Sequence, residues 1–241
     1  MSKSLGDRMK EYENINRNFL MKKTPVIIRL DGKAFHTFTK SFNKPFDQKL
    51  MDIMDAAAIK TAEEIQGFKI GYVQSDEVTF VLSDFDDIKT DAWFGYNVNK
   101  LCSISAATMT YWFNYYLADS SKKAIFDARV FNVPSLSEVS NNLLWRAQDW
   151  KRNSLQMYCQ DNFSQKELEG KNSEMQHNML HEIGKNWSTD LSGREKNGLF
   201  FYLDPNDGKI VKDYERWPSY IEIKDLVFYT MASDNEWEKN N

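Results

Sequence analysis

Three carboxylates at two turns are the residues best placed to do chemistry. Asp31 closes the run Pro25-Val26-Ile27-Ile28-Arg29-Leu30-Asp31-Gly32. Asp76 and Glu77 sit inside Gly71-Tyr72-Val73-Gln74-Ser75-Asp76-Glu77-Val78-Thr79-Phe80-Val81-Leu82. Carboxylates gathered at one edge repel one another, so such a cluster either holds metal or shifts its own pKa values. Hard oxygen ligands on a rigid edge suit Mg2+, which keeps waters and takes up substrate phosphates. Two such ions about 4 Å apart activate an attacking hydroxyl and stabilise a leaving pyrophosphate. Asp-Gly and Ser-Asp-Glu are also ordinary turn sequences, and spacing alone leaves both readings open.

The elements around these residues must bring them together. Pro25 to Asp31 reads as a short buried strand with three β-branched residues in a row. Gly32 then allows a sharp turn and a close approach to a ligand. Phe68 to Leu82 reads as two strands joined by a tight turn at Ser75-Asp76-Glu77. Between them, Asp47 caps a helix running to about Gln66, with Gly67 as its stop. A long helix is expected from Ala92 to about Tyr116, then a fourth strand from Ala124 to Asn132. The order β-α-β-β-α-β is the split βαβ arrangement. Right-handed crossovers make strands one and two parallel, with strand three between them and antiparallel to both. The end of strand one and the start of strand three then share one edge, and topology joins Asp31 to Asp76.

The flanks are more helical. Ser4 to Phe19 has helical spacing, with Met9, Tyr12, Ile15 and Phe19 on one face. Ser135 to about Phe163 and Ser173 to Gly184 read as helices. Asp204-Pro205-Asn206-Asp207-Gly208 is a strong hairpin signal between Leu199–Leu203 and Ile210–Tyr214. Residues 1–134 form the expected catalytic core, and 135–241 an extension packed on it.

Several polar residues near these elements have two readings. The Gly32–His36 loop can present backbone N–H groups to a triphosphate, or be a plain loop. Lys44, Lys100 and Arg129 can bind phosphate, or be surface charge. Arg146, Asp149 and Asn153 fall on one helical face and, with Lys151 and Arg152, suit RNA phosphates and base edges. The same residues can make a solvated face with Asp149 paired to Arg146 or Arg152. Trp145 and Trp150 read as core.

Composition narrows the class. With 241 residues, 41% hydrophobic and 27% charged, the chain is long enough and apolar enough to bury a core. A net charge of −4 counts against a simple basic nucleic-acid-binding domain, though not against a nucleic-acid enzyme. Cys102 and Cys159 have no metal-type spacing and no disulfide framework, which points to the cytoplasm. No long apolar run suggests a membrane span.

Five segments carry a resemblance: Arg29 to His36, Asn43-Lys44-Pro45, Gln74-Ser75-Asp76-Glu77, Phe126-Asp127-Ala128-Arg129, and Trp145 to Ser154. In this order the chain resembles the tRNA-His guanylyltransferase family, and especially its guanylyltransferase-like branch of 3′–5′ polymerases. The resemblance implies an α+β fold with a polymerase-palm-like, ferredoxin-like core, additional helices and a C-terminal hairpin. It also implies a 5′-phosphate activated by ATP or GTP, attacked in turn by the 3′-hydroxyl of an incoming nucleotide. Catalytic roles fall on Asp31, Asp76 and Glu77. Two Mg2+ would be held by Asp31, Asp76 and the carbonyl of Gly32. Nucleotide contacts fall on Lys33, Ala34, Phe35, His36, Lys44, Ser75, Lys100 and Arg129, and tRNA contacts on Arg146, Lys151, Arg152 and Asn153. Homotetramers are implied as well. Lys151-Arg152-Asn153-Ser154 replaces the His and Asn-Asn of the eukaryotic guanylyltransferases, which points to repair of several tRNAs. Two other classes share some of these features: a palm-fold nucleotide cyclase and a non-catalytic RNA-binding module. A mere binder gains nothing from three carboxylates beside RNA phosphates.

Overall fold

The computed structural model describes residues 3–87, 89–119, 121–216 and 218–232. The end of the extension, 233–241, lies outside the described residues. Six strands form one sheet in the order β4-β1-β3-β2-β5-β6. Strands β1 (Val26–Gly32), β2 (Phe68–Gln74), β3 (Glu77–Leu82) and β4 (Phe126–Asn132) make the expected split βαβ core. β3 lies between β1 and β2 and is antiparallel to both. The hairpin of β5 (Leu199–Leu203) and β6 (Ile210–Asp213) continues the sheet by pairing with β2. Core and extension therefore share one backbone hydrogen-bond ladder.

The run of β-branched residues in β1 is explained by helices on both faces of the sheet. Val26, Ile28, Leu30, Val78 and Phe80 point to one side, into the core under helices α3 (Gln48–Glu63) and α4 (Val98–Leu117). Ile70, Tyr72 and Val81 point to the other, under α5 (Leu136–Gln160) and α10 (Tyr220–Met231). The helices are α1 (Leu5–Asn14), α2 (Phe35–Phe38), α3 (Gln48–Glu63), α4 (Val98–Leu117), α5 (Leu136–Gln160), α6 (Gln165–Leu168), α7 (Ser173–Glu182), α8 (Trp187–Asp190), α9 (Gly193–Asn197) and α10 (Tyr220–Met231). Asp47 caps α3 by accepting from the N–H of Leu50 at 2.9 Å, as its sequence predicts.

Two expectations are corrected and one helix is new. The N-terminal helix ends at Asn14, and its apolar face is exposed at Leu5, Met9, Tyr12 and Ile15. The long helix begins at Val98 rather than Ala92, because Phe94 and Gly95 have φ of 49° and 61° and break the spiral before the Asn97 cap. Helix α10 carries no expected element; it buries Ile223, Leu226 and Val227 against α5 and β2.

Candidate active site

The β1–β3 register sets Asp31 opposite Glu77. One residue on, the N–H of Gly32 donates to the carbonyl of Asp76 at 3.2 Å. Ser75 and Asp76 make the whole β2–β3 loop, which is tight enough to require a left-handed Ser75 at φ 47°. Asp31 and Asp76 therefore share one lip of the sheet. Burial raises the pKa of Asp31, and the charges of Glu77 and Asp127 add to this. Burial pushes Asp76 up to about 6, with the charge of Asp31 adding to it. Two carboxylates that repel each other at a partly open edge are a donor set that fits a hard divalent cation.

The third carboxylate is elsewhere engaged. Oε1 of Glu77 accepts from Nε of Arg146 at 2.6 Å and from Nε2 of Gln74 at 2.9 Å. Its Oε2 accepts from Nη2 of Arg146 at 2.9 Å. Among the described residues no three His, Cys, Asp or Glu side chains gather closely enough to hold a metal by themselves. Arg146 in turn is buried, and its Nη2 also donates to Asp149 at 3.0 Å. The guanidinium, expected to contact tRNA, ties α5 to the sheet and borders a cleft that Asp31 and Asp76 also border.

Gly32 acts differently from expectation. It is the last residue of an extended strand, and the left-handed turn falls on Ala34 at φ 54°. Glycine is required because the ring of Phe35 lies across it; a Cβ at Gly32 would meet Phe35 Cδ2 at 2.2 Å. Phe35 is buried among Phe38, Phe113 and Phe126, with ring centroids 4.9, 5.5 and 5.3 Å away. Lys33, Ala34 and His36 stay exposed on the loop.

Two adjoining hollows meet at Ser75 and Asp76. A polar cleft of about 370 Å3 is bordered by Asp31, Asp76, Arg146, Asp149 and Asn153. A more apolar cavity of about 250 Å3 is bordered by Phe35, His36, Phe42, Lys44, Met51 and Met54. Arg129 registers beside Arg29 on β1, and both charges pull the Asp31 pKa back down. Lys100 lies in the first turn of α4 with its ammonium 5.5 Å from the centre of the Phe94 ring, and it borders neither hollow. Ten residues of helix, about 15 Å, separate it from Thr110, whose hydroxyl accepts from the N–H of Phe126, the partner of Gly32.

Helix α5 borders two hollows. Arg146, Asp149 and Asn153 face the polar cleft. Lys151 borders a separate hollow with Gln148, His177 and Trp187, and Arg152 lies between the two, bordering that hollow while its Nη2 donates to Oδ1 of Asp149 at 2.8 Å. Trp150 is buried as expected; Trp145 is not, and lies half exposed with the guanidinium carbons of Arg29 and Arg146 5.4 and 4.5 Å from its ring. Sequence reasoning missed Arg194, which borders the apolar cavity and is held in a buried ion pair with Asp55. A single Arg in a polar stretch carries no periodic signal that would mark it.

Known proteins share this chain's sequence pattern and fold. Residues 6–134 match the family described as tRNAHis guanylyltransferase. The tRNA(His) guanylyltransferase of Schizosaccharomyces pombe is 31% identical over 158 residues, 64% of this chain and 59% of that one. A bacterial tRNA(His) guanylyltransferase-like protein solved in complex with ATP is 34% identical, with a TM-score of 0.88 over 95% of this chain and 100% of that one. A bacterial guanylyltransferase-like protein solved in complex with GTP is 33% identical, with a TM-score of 0.81 over 94% and 100%. No helix among the described residues is long and apolar enough to cross a membrane. With this match over more than half its length, the chain belongs to the tRNA-His guanylyltransferase family, a family of 3′–5′ nucleotidyltransferases.

Proposed function

We propose that the chain is a metal-dependent nucleotidyltransferase that rebuilds the 5′ ends of tRNAs in the 3′–5′ direction. The observation that carries this reading is the joining of Asp31 and Asp76 at the lip where the polar cleft meets the apolar cavity. In the first step an oxygen of the tRNA 5′-phosphate attacks the α-phosphorus of ATP or GTP. The bond to the β-phosphate oxygen breaks and pyrophosphate leaves. In the second step the 3′-hydroxyl of the incoming nucleotide attacks the activated 5′-phosphorus. The nucleoside monophosphate leaves, and the hydroxyl proton passes to solvent. Asp31, Asp76 and the carbonyl of Gly32 would hold Mg2+, which when bound lowers the pKa of the attacking hydroxyl and offsets charge on the leaving phosphates.

The chain's own residues do the positioning. Lys33, Ala34 and His36 present the loop after β1 to the triphosphate, with Phe35 fixing its base from within the core. Lys44, on the cavity wall, and Arg129, beside Asp31, supply positive charge for phosphate. Ser75 borders both hollows. Glu77 acts through Arg146, keeping α5 against the sheet so that Asn153 faces the cleft. Lys151 and Arg152 offer phosphate contacts that position RNA without reading its sequence. Selection among nucleotides then comes from pairing with the opposing strand. The unburied apolar face of α1 supports self-association into a homotetramer, and the free Cys102 and Cys159 support a cytoplasmic setting.

The test incubates the protein with 5′-truncated tRNAs of several anticodons, Mg2+, ATP or GTP and each nucleotide, and resolves the products. Templated addition at comparable efficiency across anticodons is expected. If only the tRNA with the His anticodon reacts, and anticodon swaps carry that activity with them, the enzyme is a dedicated guanylyltransferase.

A further inference from the structure

One carboxylate on α5 holds three of the four side chains expected to meet tRNA. Oδ2 of Asp149 accepts from Nη2 of Arg146 at 3.0 Å and from Nδ2 of Asn153 at 3.5 Å. Its Oδ1 accepts from Nη2 of Arg152 at 2.8 Å. Arg146 extends the contact, because its Nε and Nη2 donate to the two oxygens of Glu77 at 2.6 and 2.9 Å. Glu77 stands opposite Asp31 in the β1–β3 register. A continuous chain of charges, Arg152–Asp149–Arg146–Glu77, therefore runs from the hollow beside Lys151 to the cleft that Asp31 and Asp76 border.

The two ends of this chain differ in strength. The side chains of Arg146 and Glu77 are 11% and 13% exposed, and their two parallel bonds make a fixed fork. The side chain of Asp149 is 28% exposed and that of Arg152 is 65% exposed. Water and salt screen that outer pair, so it is easily exchanged. Among the described residues the Asp149 bond uses one of the five N–H donors of Arg152. A phosphodiester offers a guanidinium two charged oxygens, as a carboxylate does. RNA that reaches Arg152 therefore competes with Asp149 for one guanidinium. Released from Arg152, Asp149 keeps Arg146 and Asn153 as partners, and both border the cleft.

We propose that Asp149 is a positioning residue that an RNA phosphate displaces from Arg152: it holds Arg146 and Asn153 at the cleft, and it lowers the affinity for RNA by occupying Arg152 beforehand. The proposal rests on the 3′–5′ nucleotidyltransferase reading, and adds a side chain that trades RNA affinity for rate. The opposite signs of these two effects set it apart from a fold-stabilising ion pair, whose loss weakens binding and slows the reaction together.

The experiment measures affinity and rate separately. A 5′-truncated, 5′-monophosphorylated tRNA with a 3′ fluorophore is titrated with the full chain at several KCl concentrations, without nucleotide, and followed by anisotropy. Activation with ATP or GTP and Mg2+ is then timed in single turnovers at saturating protein. Asp149→Asn keeps an acceptor oxygen and removes the charge. It should bind the RNA about 1.5- to 5-fold more tightly at low salt, the worth of an exposed ion pair. Its activation rate at saturation should fall about 10- to 100-fold, because Arg146 and Asn153 lose their anchor. Arg152→Gln should lower the slope of log K against log salt by about 0.7–0.9, the signature of one lost phosphate contact. In that background Asp149→Asn should bring no gain in affinity. Unchanged or weaker binding by Asp149→Asn overturns the proposal, as does a rate equal to wild type. A gain that survives in Arg152→Gln marks plain charge repulsion and overturns it too. An unaltered salt slope in Arg152→Gln overturns it without the Asp149 variant, should that variant not fold. A wild-type protein that binds the RNA but activates it with neither nucleotide sinks the nucleotidyltransferase reading, while the binding arms still decide whether RNA displaces Asp149.

Discussion

Removing the guanidinium of Arg146 tests whether Glu77 serves the metal or the fold. The side chains of Glu77 and Arg146 are 13% and 11% exposed, so solvent does little to shield either charge. In Arg146→Met, Glu77 loses bonds of 2.6 and 2.9 Å and keeps the 2.9 Å bond from Gln74. Asp149 keeps Arg152 at 2.8 Å. Methionine preserves most of the aliphatic stem, while the guanidinium that lies over the ring of Trp145 is lost. Breaking a buried pair by removing one partner costs about 3–5 kcal/mol, and the residual exposure here places the loss near the lower end. For a chain of this size that corresponds to a fall in Tm of roughly 6–12 °C. The double variant Arg146→Met/Glu77→Gln should recover about 2 kcal/mol, because no unpaired charge remains. Equilibrium urea denaturation of the four proteins gives the coupling energy directly. A single variant within about 1 kcal/mol of wild type, or strictly additive losses, would refute the structural role of the pair.

Other outcomes follow from the same geometry. Asp31→Ala and Asp76→Ala should each abolish activation and nucleotide addition while far-ultraviolet circular dichroism and Tm stay near wild type; activity close to wild type in either variant removes that residue from the metal site. Lys44→Ala should lower kcat/KM for the triphosphate by about 10- to 150-fold if the lost contact is charge-assisted. Lys100→Ala, at the far end of α4, should leave kcat/KM unchanged, and a matching loss there would restore its nucleotide role. Gly32→Ala must push the Phe35 ring aside and should cost about 1–3 kcal/mol in thermal unfolding; an unchanged Tm would show that the ring moves freely. The Asn186 N–H and the Tyr158 hydroxyl hold the Asp190 pKa below its usual range. A depressed folded-state pKa gives stability that is present above about pH 4 and lost as pH falls through the folded value. Asp190→Asn should therefore flatten the acid limb of stability against pH, and identical slopes in both proteins would show that the bonds do not bias Asp190.

Local signals determined the core of this protein. The β-branched run from Val26 to Ile28, the Asp47 cap and the β-α-β-β-α-β order led to the observed pairing of β1, β2 and β3. Handedness then brought Asp31 to Asp76, because few topologies satisfy a right-handed crossover in both halves. Chemistry that depends on distant partners was not legible. Glu77 and Arg146 are 69 positions apart and Asp55 and Arg194 are 139 apart, so no spacing rule connects them. Helical periodicity placed Arg146 and Asn153 on one face, but only packing against the sheet showed that Arg146 is buried on Glu77 and that Lys151 looks the other way. The apolar stripe of α1 reads like a core face in sequence, since periodicity reports an amphipathic helix and says nothing of what covers it. Gly32 is the sharpest instance. Its sequence context suggested a turn, and the tertiary structure set its need by the ring of Phe35, three residues on, folding back across a backbone that leaves no room for a Cβ.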